Sequence, residues 1–389
     1  MTLRDHDAVL VSAKRTAIGR AFKGRLANHR GDDLAALVVR AALDDVPQLD
    51  ANAVEDLILG CAQPAGEQGY NMARPVTLLA GLEEAAGTTV NRYCASSLQA
   101  LRMAFHAIRS GEADVQVAAG VEAISRYALG KADGMEGTKN PKFSSEAYHL
   151  PDVYMAMGET AERVADHFGV SRNEMDRYAL ESQRRAAQAI DRGWFEREIV
   201  PVELRDDQVF DRDESPRPST TLEGLSGLQP VFRKEGRVTA GNACPLNDGA
   251  AACVVMSGRR VLELGIQPRA RIVATSVSAV DPTIMGIGPV KATQRVLHAA
   301  GMTIDDVDRV ELNEAFAAQV IPSQQQLGLA HERLNVRGGA LALGHPFGMT
   351  GARLVTTLLH ILEDDDQEVG LATLCVGGGQ GMSLLLQRV

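Results

Sequence analysis

The order of elements along the first 125 residues repeats after about residue 270, and this internal duplication limits the available folds more than any single motif does. Ala8–Ala13 reads as a strand and is echoed by Arg271–Val277. The helical stretch Asp33–Leu43, with Leu34, Leu37, Val38 and Ala41 on one face, is echoed by Lys291–Ala300. Both run on to an acidic step and a strand, Val54–Leu59 in one half and Val307–Leu312 in the other. Val90–Ile108, followed by the strand Val115–Gly120, has its counterpart in Val336–Leu362, followed by Val369–Cys375. Alternating strands and helices imply two similar α/β halves with parallel or mixed sheets, and ligands at the carboxyl ends of the strands.

The segment between the halves differs in character. From Arg126 to about Arg237 it is rich in charge, Gly, Pro and Ser, with a Met-rich run Tyr154-Met155-Ala156-Met157-Gly158. The spacing Ser171-Arg172-Asn173-Glu174 predicts a capped helix over 175–191, with Gly193 as its stop, and Arg205–Thr221 reads as loop. The expected division is an N-terminal half 1–125, an inserted α+β loop domain 126–248 that returns to the N-terminal core near its end, and a C-terminal half 249–389.

Composition narrows the function classes. With 389 residues, 45% hydrophobic and 23% charged, the chain is globular and long enough for two or three domains. A net charge of −10 argues against a general nucleic-acid or anionic-membrane surface, so an anionic ligand must be met by specific Arg or Lys residues. Cys61, Cys94, Cys244, Cys253 and Cys375 are odd in number and form neither a CxxC nor a Cys/His cluster, a reduced cytosolic pattern without a metal site. No apolar run approaches the length of a membrane span, and neither end carries a targeting signal, so a cytoplasmic protein is expected.

Cys94 sits where the strand end Thr88–Tyr93 turns into the small-residue helix start Ala95-Ser96-Ser97-Leu98-Gln99-Ala100. Unpaired N–H groups at a helix start stabilise a thiolate and lower the thiol pKa from about 8.5, while inert packing is the competing role of a cysteine. His345 lies on a glycine-dense turn, Gly338-Gly339 to Gly344-His345-Pro346-Phe347-Gly348, before a helix from about Thr350. In the repeat it falls close to the place of Cys94, so a pseudo-twofold brings the two helix starts face to face. Cys375 ends a strand ahead of Gly377-Gly378-Gly379, which lacks the Lys-Ser/Thr of a phosphate loop and suits a nest of N–H groups for an oxyanion. Asn313-Glu314-Ala315-Phe316 adds an amide and a carboxylate at another strand end, with a plain helix cap as the alternative.

Taken in order, these stretches resemble the thiolase family, from Arg15-Thr16-Ala17-Ile18-Gly19 to Gly381. The resemblance implies a fold of two duplicated α/β halves in α-β-α-β-α layers with an inserted loop domain. It implies that Cys94 is the acyl-accepting nucleophile, that His345 activates it, and that Cys375 shuttles the α-proton of the substrate. It further implies an oxyanion hole from His345 with a water held by Asn313, and a second from the backbone N–H groups of Cys94 and Gly377. Coenzyme A and acetyl-CoA are then substrates rather than resident cofactors, met by Arg217 at the nucleotide end, by the Thr239–Ala250 segment with Cys244 along the pantetheine, and by Met157 and Met285 as an apolar wall. A homodimer or homotetramer is implied as well.

Four positions depart from the family pattern. Ser97 stands for a glycine, Cys244 for a serine, Ala17 for a proline, and Ala156 for the histidine that short-chain acetoacetyl-CoA thiolases carry. The last departure points to a degradative 3-oxoacyl-CoA thiolase of the fatty acid β-oxidation type. Acetoacetyl-CoA or 3-oxoadipyl-CoA as substrate, a non-catalytic acyl-CoA binder, and a decarboxylating condensing enzyme are the alternatives. The intact set Cys94, His345, Cys375 and Asn313 argues against the binder, and the second thiol argues against the condensing enzyme.

Overall fold

A computed structural model describes residues 3–129, 133 and 137–389; residues 130–132 and 134–136 of the inserted lobe lie outside the described residues. The first half contributes strands β1 (Ala8–Thr16), β2 (Asp56–Gly60), β3 (Ala86–Val90) and β4 (Val115–Ala123), and β5 (Asn247–Ser257) returns to it after the lobe. The second half contributes β6 (Ala270–Ala279), β7 (Arg309–Leu312), β8 (Val369–Val376) and β9 (Gln380–Arg388).

Hydrogen bonding orders these strands β7-β8-β9-β6-β1-β5-β4-β2-β3. Read outward from the β6/β1 junction, each half repeats the other: two antiparallel steps, β6/β9 and β9/β8 against β1/β5 and β5/β4, then a parallel one, β8/β7 against β4/β2. The halves differ only at the last place, where β3 pairs in parallel with β2 while the second half offers a single bridge from Val310 to Leu334. The junction is two register pairs long, Val9 with Arg271 and Leu10 with Ala270.

Eight helices set the layers: α1 (Gly31–Asp44), α2 (Ala73–Leu79), α3 (Ser96–Ser110), α4 (Met157–Phe168), α5 (Arg172–Asp191), α6 (Gly288–Ala300), α7 (Ala317–Leu327) and α8 (Thr350–Asp364). Leu34, Val38 and Val39 of α1 and Val76 of α2 cover the outer face of the first sheet through Leu57, Leu59 and Val117. On the far side, Val290 and Val296 of α6 and Val320 of α7 cover Val310, Leu371 and Leu385. Between the sheets, Leu98, Leu101 and Phe105 of α3 meet Leu354, Leu358 and Leu362 of α8 over Leu10, Val255, Leu374 and Leu384. The result is the five-layer α-β-α-β-α arrangement. Residues 350–362 of α8 are buried on every side, as a helix at the centre of such a stack must be. Each fully buried leucine there contributes about 1.5–3 kcal/mol.

In the lobe, α5 begins with the expected capping box: Ser171 Oγ accepts the Glu174 N–H at 3.2 Å, and Glu174 Oε2 accepts the Ser171 N–H at 2.7 Å. Gly193 follows at φ 68°. The segment expected to be loop, Arg205–Thr221, contributes Val209–Phe210 to a short ladder with the preceding Val202–Glu203, and the Phe210 ring is wholly buried there. Buried Arg15 of β1 ties this lobe to the sheet, donating to both carboxylate oxygens of Asp213 at 2.8 and 3.0 Å and to Glu198 at 2.6 Å.

Candidate active site

Between β3 and α3 the chain makes a single 3-10 turn, Tyr93–Ala95, with Cys94 at its middle. Tyr93 adopts φ 45°, a left-handed conformation that costs a non-glycine residue energy and holds only where the surroundings enforce it. The enforcement is visible. Ser96 Oγ accepts the Arg92 N–H at 2.9 Å and donates to the Tyr93 carbonyl at 2.6 Å. The Arg92 guanidinium donates to Gln99 at 3.0 Å and to Gln380 at 2.7 Å, pinning the turn to the first residue of β9 in the other half.

The Cys94 sulfur faces two backbone N–H groups, its own and that of Gly377. The helix start was expected to lower this thiol's pKa, and the structure reverses that expectation. Burial raises it well above the ordinary value, Cys375 and Glu122 raise it further, and the two N–H groups pull down without overturning the shift. A helix start supplies about half a unit charge, whereas enclosure removes most of the hydration of an anion. The Cys94 thiol is therefore held in its neutral form.

Cys375 is the penultimate residue of β8, buried, with its thiol pushed up to about 12 by burial and by the nearby Cys244. Cys244 in turn lies within electrostatic reach of Cys94 and is pushed up by burial, so the structure brings Cys94, Cys244 and Cys375 together. The turn after β8 needs glycine at Gly379, at φ 83°, because a Cβ there would lie 2.4 Å from the Val280 carbonyl oxygen. A Cβ on Gly377 would touch the Met157 sulfur and the Tyr93 ring, both at 3.6 Å. Met157 and Met285 join Phe316 and Leu341 in the apolar cluster that holds Cys375.

His345 and Asn313 form a separate, buried pair. Asn313 Nδ2 lies 3.3 Å from His345 Nε2, and His345 Nδ1 lies 2.6 Å from Thr350 Oγ1, whose own proton goes to the Pro346 carbonyl at 2.8 Å. This chain of donors assigns the tautomer: Nδ1 carries the proton and Nε2 the lone pair. Burial, reinforced by Arg353, pulls the imidazole down to about 3, so the ring is neutral. The His345 N–H donates to Asn247 Oδ1 at 3.0 Å, and the Asn313 carbonyl accepts from Gln319 at 2.9 Å. Asn313 Oδ1 is buried without a partner. Among the described residues no hydrogen bond joins the His345 ring to Cys94. The two clusters meet through the helix starts instead, where Ser97 Oγ accepts the Ala352 N–H at 2.9 Å and a Cβ on Gly351 would lie 2.3 Å from the Leu98 nitrogen.

Arg217 is exposed and lines a small cavity with Arg20, Thr220, Leu225 and Pro245. A larger cleft, about 570 Å³, lies away from these residues beside Lys14, Arg197, Arg269 and His360. Its cations are matched by Asp45, Asp364 and Glu363, so it is a charge-balanced seam. Among the described residues no group of three or more His, Cys, Asp or Glu side chains is placed to hold a metal ion, and no helix is long and apolar enough to cross a membrane.

Glu314 is an anchor of the lobe: it accepts from Tyr178 at 2.9 Å, Ser182 at 2.6 Å, Asn335 at 2.8 Å and the Leu341 N–H at 3.1 Å. Three residues escaped the sequence reading. Thr350 had a signal, a hydroxyl in the first turn after the histidine. Glu122 had one too, as the only carboxylate in the apolar strand Val115–Ala123. Arg20, the second cation beside Arg217, had none.

Relatives matched along the whole chain place it among the coenzyme A-dependent acyltransferases. It belongs to the thiolase family, matching Thiolase, N-terminal domain, over residues 8–259 and Thiolase, C-terminal domain, over residues 266–388. The beta-ketoadipyl-CoA thiolase of Pseudomonas aeruginosa is 46% identical over 399 aligned residues, which cover 98% of this chain and 99% of that protein. The 3-ketoacyl-CoA thiolase of Marinomonas sp. (strain MWYL1) is 44% identical with all of both chains covered. Among solved structures, the Bacillus anthracis acetyl-CoA acetyltransferase matches with a TM-score of 0.90 at 40% identity over 99% of each chain.

Proposed function

We propose that this thiolase cleaves 3-oxoacyl-CoA with coenzyme A, releasing acetyl-CoA and an acyl-CoA shortened by two carbons, through an acyl-enzyme on Cys94. The observation that carries this reading is the meeting of two thiols, the half-buried Cys94 and the buried Cys375, with the Gly377 N–H on the sulfur of the first.

In the first step His345 Nε2 receives the Cys94 proton as the sulfur attacks the 3-carbonyl carbon, and the Cys94 and Gly377 N–H groups receive the oxyanion. Because the thiol is held up and the imidazole down, proton transfer accompanies attack; no resting ion pair exists. Protonated Nε2 becomes a donor, so His345 and Asn313 Nδ2 present two donors to one point. That point suits the thioester oxygen of the departing acetyl-CoA enolate, and a single such donor supplies about 2.7–4 kcal/mol in other oxyanion holes. Collapse breaks the C2–C3 bond, and the Cys375 thiol protonates C2. In the second step the Cys375 thiolate takes the proton of coenzyme A, whose sulfur attacks the acyl-Cys94 thioester. Cys94 leaves and recovers its proton from His345.

Met157, Met285, Phe316 and Leu341 support an apolar acyl chain, and Ala156 in place of a histidine supports one longer than acetoacetyl. Arg217 and Arg20 are proposed to meet the nucleotide end of coenzyme A. The degradative direction fits fatty acid β-oxidation. The five free cysteines support a reducing, cytoplasmic setting, and the unpaired edge of β3 supports a homo-oligomer. The 46% identity with the beta-ketoadipyl-CoA thiolase favours a second reading, with 3-oxoadipyl-CoA as substrate.

A profile of kcat/KM over acetoacetyl-, 3-oxohexanoyl-, 3-oxodecanoyl- and 3-oxoadipyl-CoA decides. A preference for the longer monocarboxylic chains supports the first reading, a preference for 3-oxoadipyl-CoA the second, and activity confined to acetoacetyl-CoA overturns both.

A further inference from the structure

Strand β4 is apolar along its buried length but for Gln116 and one carboxylate near its end, Glu122, which is wholly enclosed. Its Oε2 accepts the N–H groups of Ala62 and Gly348, each at 2.9 Å. Its Oε1 accepts the Gln63 N–H at 3.3 Å and Gln68 Nε2 at 3.0 Å. The Cys61 sulfur lies 3.8 Å from Oε1. Every one of these partners is a neutral donor. Burying a carboxylate without a cation is costly unless its lone pairs are filled, and here they are filled by peptide and amide N–H groups. Burial raises the pKa of this carboxyl, and the Ala62 and Gly348 N–H groups with the Gln68 amide pull it back part of the way.

The donors come from segments that must be held in register for acyl transfer. Ala62 and Gln63 leave β2 of the Cys94 half. Gly348 lies three residues past His345, on the turn that enters α8 of the other half. That turn is set backbone to backbone: a Cβ on Gly348 would lie 2.2 Å from the Val121 carbonyl oxygen and 2.9 Å from the Cys61 Cα. One carboxylate thus joins the His345 turn to the half that carries Cys94.

We propose that Glu122 is a positioning residue for acyl transfer: its carboxyl group docks the His345 turn onto the Cys94 half through the Gly348 and Ala62 N–H groups. The inference rests on reading Cys94 as the nucleophile. The contact keeps the base side of the site in place against the half that carries the thiol.

Two substitutions in the full-length protein test the docking. Glu122→Gln turns an acceptor into an NH2 group that faces N–H donors; Glu122→Asp keeps both acceptor oxygens but withdraws them by one carbon. The first should lower kcat about tenfold or more with KM little changed, as loss of an orienting partner does elsewhere. Glu122→Asp should recover part of that kcat. A kcat within twofold of wild type in Glu122→Gln, or a loss carried by KM with kcat unchanged, overturns the proposal. If Glu122→Gln does not fold, Glu122→Asp decides alone: reduced kcat with unchanged KM supports the proposal, and any other pair of results overturns it. Cys94→Ala tests the underlying reading separately, since full thiolysis by that variant removes the nucleophile assignment whatever Glu122 does.

Discussion

Thr350 Oγ1 stands 2.6 Å from His345 Nδ1 and passes its own proton to the Pro346 carbonyl, so a single hydroxyl in the first turn of α8 fixes which imidazole nitrogen is free. The contact joins the helix to the ring it presents. In Thr350→Val the shape survives and the acceptor for Nδ1–H is lost. We expect kcat to fall about tenfold to a hundredfold with KM nearly unchanged, the range seen when an orienting partner of a functional histidine is removed, and Thr350→Ser to restore it. Steady-state kinetics of the two variants is the check; equal loss in both would assign Thr350 a packing role only.

Ser97 occupies the place of a motif glycine, and its hydroxyl accepts the Ala352 N–H at the start of α8. It therefore caps one helix from the start of another across the middle of the molecule. Ser97→Ala leaves that N–H buried and unpartnered, at a cost of about 1–3 kcal/mol. Urea unfolding should show the midpoint falling without a change in slope. An unchanged midpoint would mean that the N–H finds another acceptor.

Much of this arrangement was legible from residue order. The duplication, the two helix starts, the capping box at Ser171 and the strand-end thiols all follow from local pattern, which a sequence carries directly. The sign of the Cys94 shift was not legible, because the helix-start argument is local while desolvation depends on segments from distant parts of the chain, the Gly377 turn among them. The left-handed Tyr93 was hidden in part for the same reason, since nothing in an aromatic residue favours positive φ and the Arg92–Gln380 contact across the halves joins the local Ser96 bonds in enforcing it. The direct Asn313–His345 contact likewise depends on two segments 32 residues apart, the end of β7 and the turn before α8, meeting in space.

Buried titratable groups make stability depend on pH from both sides. His345 is held down to about 3 and His360 to about 2, below the value of about 6.5 in an unfolded chain. A histidine whose folded value is depressed contributes stability above the unfolded value, and that stability is lost as pH falls, because only the unfolded state takes up the proton. The Cys375 and Cys253 thiols, both raised to about 12, act in the opposite direction and lose their contribution as pH rises past about 9. Each group changes stability by up to about 1.4 kcal/mol per pH unit inside its window. Unfolding free energy measured by urea from pH 4 to pH 10 should therefore show a plateau near neutrality with a fall on either side. His360→Gln should flatten the acid limb, and an unaltered acid limb in that variant would count against the buried neutral histidine.

Arg15 is a structural counterpart to the catalytic cluster, a fully buried guanidinium between the equally buried carboxylates of Asp213 and Glu198. Arg15→Leu strands both carboxylates, and removal of one member of a buried ion network costs about 3–5 kcal/mol. We expect low solubility or a lowered unfolding midpoint from Arg15→Leu alone, and recovery of most of the loss when Asp213→Asn and Glu198→Gln are added. Failure of the added changes to recover stability would locate the role of Arg15 in packing against Phe195, whose ring centroid lies 5.2 Å away.

The two thiols can be told apart by isotope exchange. Cys375 is proposed to move the α-proton of acetyl-CoA while Cys94 holds the acyl group, so the two functions belong to different atoms and one can be removed without the other. In Cys375→Ala, incubation with acetyl-CoA in deuterium oxide should leave the methyl signal unexchanged by NMR, while the protein still gains the mass of one acetyl group on the Cys94 peptide. In Cys94→Ala the peptide should stay unmodified. The neutral resting site sharpens the expectation: with Cys375 raised to about 12, its free thiolate is scarce at neutral pH, and exchange must draw its base from the bound complex. Exchange in wild type should then saturate with acetyl-CoA, and its bound-state rate should rise less than tenfold per pH unit between pH 7 and 9. A full tenfold rise per unit would show that proton abstraction awaits a thiolate formed by titration of Cys375 alone, without help from the bound substrate or the His345–Asn313 pair.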